Sequence, residues 1–426
     1  MAREFDIVVF GATGVTGRYV VEQTYKASKE EGFTFAVAGR SETRLIEALR
    51  EVAGWLKLDA DIFSRDTPKI IADISDSESL HKMAKRTRII VNTVGPYRFY
   101  GEAVISACVD ENTSHLDVSG EPQFIESMQL KYHKIAQDKK IYLVSACGFD
   151  SIAAEFTFNF AKENFRGKLN SVETFLSYRN PKGSHLNIGT WNTAVHEVGA
   201  RRELPPLRKK ISEELFKKKN DKLKFKLLTR RLASTVSVCP GYLLPFLGSD
   251  KSVIRKSEMF RVENSDEDYK PVQIQTYISV DSLVQLIALT CMALIFGIFA
   301  NFALGRKLLS KYPKMFSFGM FRDEPPKREY MQEISMKLVA FGQGWHTGDD
   351  ESSPPTKEIV VEMNLGDPGY IGTSIMLVQS AVCVLKDNVA MPLGGGCISP
   401  GFAFEKTTLQ RRLNERGIKL SVVRQS

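Results

Sequence analysis

FDIVVFGATGVTGRYVVEQTYKASKE, from Phe5 to Glu30, decides how the rest of this chain is read. Phe5–Phe10 is a short, unbroken apolar run rich in β-branched residues, the signature of a strand buried on both faces of a parallel sheet. Gly11, Gly14 and Gly17 follow at GxxGxxG spacing, and then a helical pattern. Strand, glycine turn and helix open a dinucleotide-binding βαβ unit. Gly11 permits the sharp turn, Gly14 lets the backbone approach a pyrophosphate, and Gly17 lets helix pack close to strand. Ala12, Thr13 and Thr16 complete the expected clasp, with the pyrophosphate on amides at the helix N-terminus.

The second strand, FTFAVAGR (33–40), ends where an acidic residue would bind an adenine ribose 2′-hydroxyl. Gly39, Arg40 and Ser41 stand there instead. A guanidinium at that place grips a 2′-phosphate, so NADP(H) is expected rather than NAD(H). The competing reading is that Arg40 only caps the helix beginning at Glu42. Strands then recur in KIIADI (to Asp73), RIIVNTVGPY (through Asn92), HLDVSGE and KIYLVSACGFDS, with helices expected from about Ser77, Gly101 and Pro122. This alternation predicts a Rossmann-type, doubly wound parallel α/β sheet whose ligands lie at the strands' carboxyl ends. Asp73 should flank adenine, and Asn92 with Gly95 the nicotinamide ribose.

The same rule draws candidate proton donors from the carboxyl-end loops: Tyr97, Ser119, Glu121 and Asp150. Three of them have a plainer reading. Tyr97 is then a loop tyrosine, Glu121 a first-turn acid favoured by the helix dipole, and Asp150 a helix cap. Two Tyr-x-x-x-Lys spellings carry no chemistry: Tyr25/Lys29 lies on the first helix, and Tyr178/Lys182 is interrupted by Pro181. Six histidines show no HxxxH or HExxH spacing and six cysteines no CxxC, so neither a metal site nor a disulfide framework is expected. A GxSxG nucleophile elbow is also absent. The scattered cysteines make a reducing compartment the default, and REFDIVVFGATG enters a strand at once, with no basic and apolar leader expected ahead of it.

Three regions are expected. Residues 1–150 form the nucleotide-binding domain; 151–390 form a second α+β domain, an antiparallel sheet with added helices; and 391–426 return to the first domain. LVQLIALTCMALIFGIFANFAL (283–304) interrupts the second. Its 22 residues carry no charge, and Arg306, Lys307 and Lys311 follow, with FSFGMF beyond. As helix the stretch would measure about 33 Å, enough for a bilayer core. A single crossing would separate KEIVVEMNL (357–365) from the cofactor domain, so a segment that enters and leaves on one cytosol-facing side, bending near Gly297, is expected. The alternative is a core helix covered by the second domain or by a homodimer partner. Between Arg201 and Arg231 stand thirteen Lys/Arg against four Asp/Glu, within a chain of net charge +8. Anionic headgroups rather than nucleic acid are the expected partner of that stretch; a solvated basic helix is the plainer reading.

Taken in register, GATGVTG, VAGR, NTVGPYRFYGE, DVSGEPQF and GFDSI resemble the saccharopine dehydrogenase-like oxidoreductases of animals. The likeness extends through GTWNTA, the apolar stretch and GGGCISPGFAF. That family is similar in its first domain to saccharopine reductases and to bacterial trans-acting enoyl reductases. The resemblance implies an NADP-type fold, association with lipid droplets or membranes, and a part in lipid or glycolipid metabolism. It does not imply saccharopine as substrate. Gly189 and Thr190 match the family's GT element, expected to face the substrate. One departure is GFDSIAAE, where the family tends to read GFDSxPxD; Ala153 and Glu155 stand at the divergent places. Two functions follow as expectations. One is an NADP(H)-dependent reductase held on lipid, acting on an enoyl, imine or carbonyl group of an apolar small molecule or lipid. The other is a catalytically silent droplet protein that binds or senses NADPH.

Overall fold

The computed structural model describes residues 3–183, 185–218, 224–265 and 269–426. The chain divides into two units: the first takes residues up to Phe149 together with Gly369–Arg416, the second Asp150–Pro368 with Gly417–Ser426.

In the first unit the strands are β1 (Phe5–Phe10), β2 (Phe35–Gly39), β3 (Lys69–Ile71), β4 (Thr87–Asn92), β5 (Ser114–Asp117) and β6 (Tyr142–Val144). Between them run helices α1 (Val15–Glu31), α2 (Glu42–Leu56), α3 (Ala60–Asp66), α4 (Ser77–Lys85), α5 (Tyr97–Asp110) and α6 (Pro122–Asp138). All strands are parallel, in the order β3-β2-β1-β4-β5-β6, and a short strand Gly396–Cys397 extends the β6 edge. The order in which strands are added reverses between β1 and β4, the switch point outside whose strand carboxyl ends such sheets bind their ligands. Ile7, Val8 and Val9 are fully buried, as a strand covered on both faces requires. Helix starts are set locally: Ser41 caps α2, Asp59 caps α3, Asp76 caps α4, and Pro122 opens α6.

Three boundaries differ from expectation. α5 begins at Tyr97 rather than Gly101, because a distant carboxylate satisfies its first amides. β3 stops at Ile71, since Asp73 turns the chain by accepting from Ser75 N and Oγ at 2.9 and 2.7 Å. The return to the first unit begins at Gly369 rather than 391, and its apolar helix Thr373–Lys386 is buried almost throughout. The final strand, Lys419–Gln425, does not join the first sheet at all. It pairs antiparallel with Lys357–Leu365 of the second unit, which satisfies one side of its backbone ladder.

The second unit is built on a six-stranded sheet. Its order is Lys419–Gln425, Lys357–Leu365, Ser335–Trp345, Lys168–Arg179, Gln273–Val280 and Tyr242–Pro245. It is mixed rather than antiparallel, since Gln273–Val280 lies parallel to Lys168–Arg179. The apolar stretch forms one helix, Leu283–Ala300. Gly297 stays inside it, and the chain turns at Asn301–Phe302 instead, before the helix Ala303–Lys311. The basic stretch is not one solvated helix. A turn (Arg201–Glu203) leads into the helix Leu204–Glu214, and Arg230 grips the buried Glu173 through Nε at 2.8 Å and Nη2. Lys219 and Lys222 of that stretch lie outside the described residues.

Candidate nucleotide site and carboxyl-end loops

Gly11 has φ +87°, a conformation that side chains rarely adopt, and its N–H donates to Ala38 O at 3.0 Å. A Cβ on Gly17 would stand 2.1 Å from Gly11 O, so glycine alone lets α1 sit this close to the turn. Gly14 is exposed, donates to Gly11 O at 3.0 Å, and heads α1 without any side-chain cap. The first amides of α1 therefore point outward unpaired, at the positive end of the helix dipole. Ala12 is buried beneath the turn, while Thr13 and Thr16 are partly exposed on it. Thr93, just past Asn92, ties β4 to this turn by donating from N and Oγ1 to Phe10 O at 2.9 and 3.0 Å.

Arg40 is exposed at the end of β2 and makes no hydrogen bond or ion pair among the described residues. Ser41 Oγ accepts from Arg44 N at 3.4 Å, so Ser41 caps α2 and the capping reading of Arg40 falls. Asp73 lies at the next strand end. Its hydrogen bonds from Ser75, and secondarily the charge of Arg40, hold it below the usual carboxylate range. The clasp at Gly11–Gly17, the Arg40–Ser41 pair, Asp73, Asn92 and Gly95 thus occupy the carboxyl ends of four adjacent strands. Exposed amides for a pyrophosphate and a free guanidinium beside them fit an NADP-type nucleotide.

The proton-donor candidates stand differently. Tyr97 is buried, and its hydroxyl donates to Asn92 O at 3.0 Å; burial pushes the phenol well above its ordinary range. The Glu121 carboxylate accepts Tyr97 N at 2.8 Å and Arg98 N at 2.9 Å, fixing the start of α5. Its first-turn role is real but serves α5, not the α6 helix it precedes. Burial pushes Glu121 up, against those two amides. Ser119 Oγ accepts from Glu121 N at 3.2 Å. Tyr97 and Glu121 thus direct their polar groups at the chain's own backbone.

Sequence reasoning missed Asp117 and His115, both fully buried on β5. Asp117 accepts from Ser119 N (2.9 Å), Ser145 Oγ (2.8 Å) and Ala146 N (3.2 Å), and burial still pushes its carboxyl up to about 7. His115 Nε2 accepts from Asn92 Nδ2 at 3.3 Å, and its Nδ1 lies 3.8 Å from Asp117 Oδ2. Burial pushes His115 down to about 3, so the ring is neutral. Asn92 Oδ1 in turn accepts Val94 N at 2.9 Å. A buried polar chain from β5 therefore shapes the 93–97 loop at the carboxyl end of β4. The signal was present in HLDVSGE, where a charged residue ends an otherwise buried strand two positions before Ser119.

Asp150 belongs to the second unit and does not cap the helix after it. With φ +74° it turns its carboxylate onto Ser249 N (3.1 Å) and against the carboxyl of Asp250. Burial pushes Asp150 up to about 7 and Asp250 further, so this pair retains a proton. Gly189 and Thr190 are exposed in the first turn of the helix Ile188–Ala200, also in the second unit. Among the described residues no group of three or more His, Cys, Asp or Glu side chains is placed to hold a metal ion.

Residues 7–144 match the family model described as saccharopine dehydrogenase NADP binding domain. The human saccharopine dehydrogenase-like oxidoreductase is 39% identical over 434 residues, covering 100% of this chain and 98% of that protein. A lipid droplet localized protein of Caenorhabditis elegans is 35% identical, covering 97% of each chain. Among solved structures, the apo saccharopine dehydrogenase (L-Glu forming) of Saccharomyces cerevisiae covers 99% of this chain and 100% of its own, with TM-score 0.51 and 12% identity, a likeness of fold alone. A βαβ clasp with an open helix terminus, a free arginine at the second strand end and full-length identity to these relatives lead to one assignment: the chain belongs to the saccharopine dehydrogenase-like oxidoreductases and binds NADP(H) through its first unit.

Proposed function

We propose that this protein is an NADP(H)-dependent oxidoreductase, resident on a lipid droplet or membrane surface facing the cytosol, that reduces an enoyl, imine or carbonyl group of an apolar or lipid substrate. The observation that carries the reading is the glycine clasp at the uncapped start of α1 with Arg40 unpaired beside it. In this reading Gly11–Gly17 take the pyrophosphate, Arg40 and Ser41 the 2′-phosphate, and the 93–97 loop orients the nicotinamide end. Bound NADPH would supply a hydride to an electrophilic carbon. Gly189 and Thr190 are proposed to face the substrate. Residence on lipid, the property named for the nematode relative, suits a substrate that dissolves there.

A second reading draws on a specific observation. Tyr97, Glu121 and Asp150 all spend their polar groups on structural hydrogen bonds, as a protein that senses NADPH without turnover would permit. One experiment separates the two. Purified protein is incubated with NADPH and fractionated lipid extracts while nicotinamide absorbance is followed, with Gly14→Asp as the control that blocks the clasp. Consumption that Gly14→Asp abolishes supports the reductase. Tight binding with no consumption across all extracts would sink it in favour of the sensor.

A further inference from the structure

Among the described residues two helices are long and apolar enough to cross a membrane, and they have opposite fates. In Pro368–Lys386 89% of the most apolar window is buried, whereas in Leu283–Ala300, of mean hydropathy 2.4, only 11% is. Val284, Ile287, Leu294 and Ile298 are 78%, 56%, 62% and 63% exposed. A narrow seam holds the helix in place, with Phe296, Phe299 and Ala300 packed against Trp191, Val195 and Leu309. The outer surface is left without a partner in the second unit, which is the unusual observation for a folded domain.

The connections determine how such a helix can meet lipid. Gln273–Val280 before it and Ser335–Trp345 after it both pair with Lys168–Arg179 in one sheet. Beyond Ala300 the chain folds straight back. Arg306 Nη1 donates to Ala300 O at 3.0 Å, and Gly305 lies so close that a Cβ would stand 2.0 Å from Phe299 O. Trp191 Nε1 then donates to Leu309 O at 2.9 Å, and Phe321–Arg322 pair with Leu186–Asn187. Crossing a bilayer would carry all of these partners through the hydrocarbon with polar backbone unsatisfied. With both flanking strands in one sheet, the 18-residue helix, about 27 Å long, instead suits an element that meets one leaflet from one side.

Apolar exposure continues through Phe302, Leu304, Met315 and Phe318, now interleaved with Lys307, Lys311 and Lys314. Beside Met315 is a groove of about 530 Å³ lined by Lys311, Lys314 and Arg322, by Tyr312, and by the acids Asp323 and Glu324. Three cations with two carboxylates next to an oily edge match a headgroup carrying a phosphate and an amine. We infer that Leu283–Ala300 and the elbow after it form a one-sided anchor in a phospholipid monolayer, the groove taking an anionic amino-headgroup such as that of phosphatidylserine. The inference rests on the lipid-surface reading above and specifies its partner and geometry.

Cys291 supplies a reporter, being the exposed cysteine on this helix while the other five are buried. Full-length protein labelled there with an environment-sensitive fluorophore is mixed with triacylglycerol emulsions coated with phosphatidylcholine alone or with added phosphatidylserine. The expected result is flotation with a blue-shifted label, strengthened by phosphatidylserine. Removing two cations in Lys311→Gln/Lys314→Gln should weaken binding to the serine-containing coat about 25-fold, roughly fivefold per charge, and barely alter the neutral coat. Leu294→Asp/Ile298→Asp should abolish flotation on both while NADPH titration stays normal. Floating protein whose label keeps its aqueous emission overturns the anchor, and a lysine variant that keeps the wild-type preference for the serine-containing coat overturns the groove. A dimer that Leu294→Asp/Ile298→Asp splits, with no flotation of wild type, would assign the face to a second copy instead. Failure of the reductase reading is seen separately, as intact flotation without NADPH binding.

Discussion

Arg40→Ala should convert an NADPH-selective protein into one that scarcely distinguishes NADPH from NADH. Arg40 stands exposed at the end of β2 with no competing partner among the described residues. Its removal therefore breaks nothing in the fold, and the whole effect falls on the ligand. A charge-assisted hydrogen bond contributes about 1.5–3 kcal/mol. Losing it should raise the Kd for NADPH roughly 10- to 150-fold and leave that for NADH unchanged. Asp73, held ionised by Ser75, would further disfavour the 2′-phosphate once the nearby positive charge is gone. Titration calorimetry with both nucleotides measures the ratio, and thermal unfolding of the free protein checks that the Tm has not moved. Equal weakening of the two nucleotides would refute the reasoning, since it would mean that Arg40 acts on something they share. An unchanged ratio would show that another group selects the phosphate.

Gly17→Ala places a Cβ 2.1 Å from the Gly11 carbonyl oxygen, so α1 must move away from the turn. The expected cost is about 1–3 kcal/mol in denaturant unfolding, together with loss of NADPH binding. Tyr97→Phe removes a hydroxyl buried on Asn92 O and should cost on the order of 1 kcal/mol of stability, with turnover retained. A fall of several orders of magnitude in kcat would restore Tyr97 as the proton donor. His115 and Asp117 predict opposing pH effects. The unfolded chain protonates His115 near its ordinary value while the folded ring stays neutral down to about 3, so this group costs stability as pH falls below about 6.5. Folded Asp117 holds its proton up to about 7, so it costs stability as pH rises from about 4 to about 7. Urea midpoints of His115→Gln and Asp117→Asn, followed across that window, should therefore diverge from wild type in opposite directions; parallel curves would disprove the assignment.

Local pattern made the first unit legible. An unbroken run such as FDIVVF has little choice but a doubly covered strand, and the GxxGxxG turn follows from a steric requirement at Gly11 and Gly17 that no other residue meets. The exposed position of Arg40 was readable for the same reason, since strand ends place their next side chain in a known position. The proton-donor candidates were not, because a carboxyl-end position says nothing of what a side chain's polar group meets. Glu121 finds amides 23 and 24 residues away, and Asp150 finds Ser249 99 residues on.

The amino-acid order alone specifies the glycine clasp, the arginine that follows the second strand and the oily stretch 283–304, since all of these are properties of residues close together along the chain. Only the folded molecule decides which oily helix is core and which is surface, that the closing strand joins the second sheet, and that buried His115 holds Asn92 at the start of the 93–97 loop. Composition measures a segment's preference to leave water. Whether another part of the same chain arrives to cover it depends on contacts between residues far apart in sequence, which no local pattern contains.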